Sequence, residues 1–92
     1  MALTKGFSEE TRQAVYGAQN GRCKICVEPI VDFHHKLPNT KINRKLFPLF
    51  INSVFNCAGL SRDCHTNKSY LFKVTEKEAQ MYENWLKKLA NR

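Results

Sequence analysis

No apolar run in the sequence approaches the roughly 20 residues that a membrane-spanning helix needs. The opening Met-Ala-Leu-Thr-Lys-Gly carries none of the apolar stretch of a signal peptide. These two absences lead us to expect an intracellular, cytoplasmic chain with no membrane partner. Acidic residues are scarce: eight Asp and Glu stand against fifteen Lys and Arg, a net charge of +7. That sign favours a polyanionic partner, bound through phosphate contacts and counterion release. There is no internal repeat and no low-complexity segment, so a repeat array is excluded. With 92 residues the chain is expected to form one domain, 1–92, with a thin core. Domains this small often add a metal or a disulfide.

Four cysteines are present: Cys23, Cys26, Cys57 and Cys64. In a reducing compartment thiols serve metals or catalysis rather than disulfides, so Cys23-Lys24-Ile25-Cys26 reads as a metal-binding knuckle.

The elements around the cysteines follow from local signals. Ser8 caps a helix with Glu9 and Glu10 in its first turn, and that helix should stop near Asn20-Gly21. Residues 1–7 read as a loose tail. Ile30-Val31-Asp32-Phe33-His34 reads as a strand. Residues 36–48, with Pro38 and Pro48 at either end, read as a basic loop. Leu46 to Phe55 is apolar, and periodicity does not choose between a short helix and an extended segment. Asn56 to Leu60 reads as the second strand. Ser61 or Asp63 then caps a helix expected from near Cys64 to about Phe72. Thr75 and Glu78 form a capping box. The helix it opens carries Met81, Tyr82, Trp85, Leu86 and Leu89 at helical spacing, with Lys77, Glu83, Lys87 and Lys88 opposite. Phe47, Phe50, Phe55, Tyr70, Phe72, Tyr82 and Trp85 are expected in the core. The order is α-β-β-α-α.

Within that order a Cys-x-x-Cys pair precedes a strand ending in His34-His35. Asn56 follows on the second strand, and Cys64-His65 opens a helix. This constellation, covering residues 21–69, resembles the HNH endonuclease family of small phage and bacterial nucleases. The resemblance implies an α+β fold: a small ββα-metal (His-Me finger) core with a zinc knuckle, flanked by N- and C-terminal helices. It also implies roles. His35 is the general base, His34 and His65 hold a catalytic divalent ion, and Asn56 orients the base by hydrogen-bonding the intervening loop. Hydrolysing a phosphodiester needs an activated water and stabilised phosphoryl oxygens, which an imidazole and a divalent ion can supply. Two imidazoles are soft ligands, so Mn²⁺, Ni²⁺, Co²⁺ or Zn²⁺ is expected to serve at least as well as Mg²⁺.

Two points stay open in the sequence. Asn52 lies five residues before Cys57, the spacing of the family's Asn from its third zinc cysteine, so it competes with Asn56 for that role. Anchoring on Cys64-His65 selects Asn56. With that anchor Ser61 occupies the third cysteine position, and Cys57 is four residues early. Cys23, Cys26, Cys57 and Cys64 hold a structural zinc if residues 58–63 form a wide loop; the alternative for Cys57 is a small buried side chain.

Lys36, Lys41, Arg44, Lys45, Arg62 and Lys68 flank the motif and are expected to contact DNA phosphates. The expected function is metal-dependent hydrolysis of DNA by nicking or double-strand cutting. A zinc-knuckle module that binds nucleic acid without cleaving it is the alternative, and a zinc-stabilised protein-interaction domain is a third. The resemblance adds partner proteins of phage packaging or of restriction and repair as settings. Oligomeric state is open: a lone site nicks, and a dimer can cut both strands.

Overall fold

In the computed structural model, residues 6–91 are described. They form a small α+β arrangement in which four helices surround a two-stranded antiparallel sheet. The helices are α1 (Glu9–Ala18), α2 (Lys41–Leu46), α3 (Arg62–Asn67) and α4 (Glu76–Ala90); the strands are β1 (Asp32–His35) and β2 (Cys57–Leu60). No helix among them is long and apolar enough to cross a membrane.

The capping residues set the helix starts. Ser8, Thr40, Ser61 and Thr75 each accept from a backbone N–H in the first turn of α1, α2, α3 and α4. At Thr75 the capping box is complete, because Glu78 accepts in turn from the Thr75 N–H. α1 ends where Asn20 and Gly21 turn left-handed, with φ of 54° and 72°. A Cβ on Gly21 would lie 2.8 Å from the Tyr16 ring, so both backbone angle and space call for glycine.

The register pairs Asp32 with Leu60, Phe33 with Gly59, His34 with Ala58 and His35 with Cys57. Opposed residues share a face, and faces alternate along each strand. One face therefore carries Asp32, His34, Ala58 and Leu60. There Ala58 and Leu60 pack with Cys23 and Cys64, and Phe72 closes the edge. The other face carries Phe33, His35, Cys57 and Gly59, and Cys57 packs there with Phe7 and Val15. Gly59 keeps this second face low: Gln19 bonds both its N–H and its carbonyl, and a Cβ would meet Ile30 at 2.6 Å. A third cluster of Leu37, Phe47, Phe50, Ile51 and Ala79 joins α4 to the segment before β2.

Several expectations need correction. The stretch 36–48 is not all loop. Thr40 caps α2 inside it, with Arg44 and Lys45 in the last turn, where positive charge suits the helix dipole. That helix buries no residue, so its sequence lacks the apolar period that would announce it. The strands run Asp32–His35 and Cys57–Leu60, and Asn56 lies in a 3-10 turn before β2. α3 ends at Asn67 and a separate 3-10 turn follows at Ser69–Leu71. Phe7 is buried and stacked on His35, so the tail reading fails at that residue; residues 1–5 lie outside the described residues. On α4 the aromatic face is largely exposed: Met81 at 65%, Trp85 at 46%, Leu89 at 39% and Tyr82 at 37%. Phe55 and Tyr70 are exposed as well, so neither is a core residue.

Glu83, read as part of the polar face, is wholly buried. Its Oε1 accepts from the N–H groups of Leu49 and Phe50, at 3.0 and 2.9 Å. These donors begin a turn that no helix or sheet satisfies, and the carboxylate ties that turn to α4. We predict that Glu83→Ala costs about 3 kcal/mol by stranding the buried Phe50 N–H and the part-buried Leu49 N–H. Glu83→Gln, which keeps the accepting oxygen, should cost clearly less. Urea denaturation measures both, and an alanine variant as stable as wild type would contradict this role.

Candidate metal and histidine site

The knuckle is shaped by its backbone. Cys23 N–H donates to the Glu28 carbonyl at 2.8 Å, Ile30 N–H to Gly21 at 3.0 Å, and Lys24 N–H reaches across to Gly59 at 3.1 Å. The loop thus folds back onto β2, which brings Cys23 and Cys26 to the start of α3. Cys64 sits in the first turn of that helix, and its N–H donates to the capping Ser61 Oγ. The Sγ atoms of Cys23, Cys26 and Cys64 all lie within 4.8 Å of one another, and Cys26 and Cys64 are 3.6 Å apart. Thiolates on one tetrahedral zinc, each at about 2.3 Å, lie about 3.8 Å apart. The spacing therefore fits a metal ion, and the donor set is compatible with a structural zinc.

The electrostatics favour a thiolate at Cys23, while at Cys64 the lowering by the Ser61 side chain is outweighed by burial and the Cys26 and Cys23 sulfurs, which hold that thiol above its ordinary value. Burial raises the Cys23 thiol, but backbone N–H groups of Cys26, Ser61 and Ile25 outweigh it and bring the thiol down to about 6. A thiolate near neutral pH is the form that binds a metal. Ser61 Oγ lies 3.5 Å from Cys26 Sγ, beside the three sulfurs.

Cys57 does not join them, which corrects its assignment as a fourth ligand. It stands opposite His35 in the register, on the face away from Ala58 and Leu60. Burial pushes its thiol up to about 11, so it behaves as a small apolar side chain. No wide loop opens between residues 58 and 63, because 57–60 is strand and α3 starts at Arg62.

The histidines divide by strand parity. His34 shares a face with Asp32 and meets His65 of α3, ring centroids 5.3 Å apart and nearly edge-on. His65 Nδ1 lies 3.3 Å from Asp32 Oδ2, and Arg62 Nε lies 3.7 Å from the same oxygen. His34 Nε2 sits 3.3 Å from the Phe72 carbonyl, which places its N–H there and leaves Nδ1 with the lone pair. Burial holds His34 below its ordinary pKa. Among the described residues, the cysteine triad is the one group of three or more His, Cys, Asp or Glu whose ligand atoms all lie within 4.8 Å of one another.

His35 faces the other way, stacked on Phe7 at 3.8 Å. Its Nε2 donates to Asn52 Oδ1 at 2.8 Å, so Nδ1 carries the lone pair. Burial also holds His35 below its ordinary value. Both histidines nonetheless line one cleft of about 440 Å³ at the end of β1, with Lys36, Tyr70 and Lys73 on its walls. The two asparagines have separate work. Asn56 is wholly buried: its Oδ1 accepts from Leu37 N–H at 2.7 Å, and its Nδ2 donates to the carbonyls of Leu37 and Ile51. It staples the chain just after His35, while Asn52 touches the His35 ring itself.

Comparison of the chain with protein-family models, with curated proteins and with solved structures found no match in any of the three.

Of the basic residues singled out, Lys41, Lys45, Arg62 and Lys68 are exposed. Arg44 bonds the Asn39 carbonyl and side chain, and Lys36 is half-buried, with burial lowering its pKa. Sequence reasoning missed Asp32, Lys73 and Tyr70. Asp32 was legible, since it lies two residues before His34 on a strand and so shares its face. Lys73 and Tyr70 reach the cleft through the turn after α3, and no spacing announced them.

The division of the cysteines is testable by elemental analysis. Cys64→Ser and Cys23→Ser should lose the co-purifying zinc, expected at about one per chain. Cys57→Ala should keep it, and Ser61→Cys should hold it against chelators longer than wild type does. Zinc lost on Cys57→Ala, with the fold intact by circular dichroism, would overturn the assignment.

Proposed function

We propose that this chain is a metal-dependent DNA endonuclease of the HNH type. On this reading β1, β2 and α3 form its ββα-metal core, and the cysteine triad braces the knuckle with zinc. The observation that carries the proposal is the meeting of His65 with His34 and Asp32 beside a cleft that His35 also lines. Such a pairing of imidazoles and carboxylate has no evident packing purpose, because all three are only partly buried.

The donor set suits a divalent ion: Asp32 offers a hard oxygen, and His34 and His65 offer imidazole nitrogens. When bound, that ion polarises the scissile phosphate and offsets charge on the leaving 3′ oxygen. His35 Nδ1 takes the proton from the attacking water. Asn52 keeps the lone pair on that nitrogen by accepting from Nε2, and stacking on Phe7 fixes the ring plane. Depressed by burial, His35 is neutral at physiological pH and ready to accept a proton. The water oxygen bonds to phosphorus, the bond to the 3′ oxygen breaks, and that oxygen leaves as an alkoxide that takes its proton from solvent water. Lys73 and Lys36 supply positive charge at the cleft wall, and exposed Lys41, Lys45, Arg62 and Lys68 would meet flanking phosphates.

A second reading, a zinc-knuckle module that binds nucleic acid without cutting it, is favoured by one observation: among the described residues only the thiolates are preassembled. Supercoiled plasmid with Mn²⁺ or Mg²⁺, with and without EDTA, separates the two. The proposal predicts divalent-ion-dependent relaxation or linearisation. His35→Ala should slow it about 10²–10⁴-fold with DNA binding retained. Plasmid retarded in a gel yet left intact with every divalent ion would favour the binding module instead.

A further inference from the structure

The exposed face of α4 is unused by everything described so far. Met81, Tyr82, Trp85 and Leu89 run along it, and Phe55 continues it from the turn before β2. The patch is rigid. Phe55 stacks on Tyr82 at 5.5 Å and meets Trp85 edge-on at 5.4 Å, while Tyr82 rests on buried Phe50 at 5.1 Å. These rings wall an open cleft of about 490 Å³ with Glu78 at its rim. Rigid, exposed aromatics of this kind mark interaction surfaces, since they bury large area at low entropic cost.

The charges indicate what covers it. Glu78 stands at the N-terminal end of the stripe, and exposed Lys88, read from the sequence as opposite it, borders its C-terminal end three residues after Trp85, about 15 Å away along the axis. Glu76 and Lys87, in the first and last turns, lie on the opposite side of the helix and take no part. Glu78 and Lys88 are equidistant from the level of Glu83, and so are Met81 and Trp85. A stripe acidic at one end, basic at the other and apolar between is complementary to itself when turned end for end. A polyanion would meet the apolar centre and a carboxylate, so nucleic acid does not fit this face.

We propose that this face is a homodimer interface: two copies of α4 pack antiparallel, each Trp85 against the partner's Met81 and each Glu78 beside the partner's Lys88. The interface is isologous, so every contact occurs twice. The core-facing residues Ala79 and Glu83 stay where they are, and the cleft of His34 and His35 is lined by other residues.

Sedimentation equilibrium tests the pairing. Wild type at high micromolar concentration should show twice the 10.7 kDa chain mass. Trp85→Glu should weaken the dimer at least about a hundredfold and leave a folded monomer by circular dichroism. Glu78→Lys and Lys88→Glu should each weaken it about tenfold, since each sets like charges together at both ends. An equimolar mixture of those two variants should dimerise again, because each then meets its opposite charge twice. Trp85 is the single tryptophan, so its emission should shift to the red as wild type is diluted into monomers. A monomeric wild type would overturn the proposal. So would a dimer that survives Trp85→Glu, or a mixture of the two charge variants that stays monomeric.

Discussion

Side chains alternate across a strand, and in this protein that one constraint sorts the residues of chemical interest on β1 and β2, Asp32, His34, His35 and Cys57. β1 and β2 are four residues each and pair from Asp32–Leu60 to His35–Cys57. Because parity is fixed by the register, Asp32 and His34 are delivered to α3, where Cys64 and His65 wait. His35 and Cys57 go to α1 and Phe7. A slip of one residue would exchange the faces and dissolve both groupings. The doublet His34-His35 is therefore two side chains with different surroundings, and they meet again only at the cleft beyond the strand end.

What pins so short a sheet is a set of buried polar side chains acting as backbone partners. Asn56 ties Leu37 to Ile51, Gln19 ties α1 to Gly59, and Glu83 ties α4 to Leu49 and Phe50. Each joins segments distant in the chain and satisfies groups that no ladder or helix could reach. Among the described residues, a thin core divided into three apolar clusters gains its order from these links, and the sulfurs of Cys23, Cys26 and Cys64 are placed so that a metal ion could add a fourth.

Local signals were legible in the sequence because their physics is local. Ser8 and Thr75 with Glu78 start helices by reaching three residues ahead, and Gly21 stops one by tolerating a left-handed backbone. The two strands and the helix carrying Cys64 and His65 were legible in order, though not in length. α2 was hidden because it buries nothing. The exposure of Trp85 and Met81 was hidden because periodicity marks an apolar stripe without saying what covers it. Glu83 was hidden because a carboxylate looks alike on a wet face and under two N–H donors. At the site, spacing alone made Cys57 a candidate ligand, and only the pairing partner of His35 shows which face it occupies. Asn52 and Asn56 competed for one role in the sequence, and the geometry holds a separate contact for each.

The proposed function requires two chemically different ions side by side on the α3 face of the sheet, one on the thiolates of Cys23, Cys26 and Cys64 and one on Asp32, His34 and His65. Cadmium-113 NMR of the cadmium-substituted protein tests it most directly, because the shift of the ion reports the sulfur content of its shell. Two resonances are expected, one strongly deshielded by thiolates and one far upfield of it. The upfield resonance should vanish in His34→Ala and in His65→Ala while the thiolate resonance persists. A single resonance at saturating cadmium, or an upfield resonance indifferent to both substitutions, would contradict it.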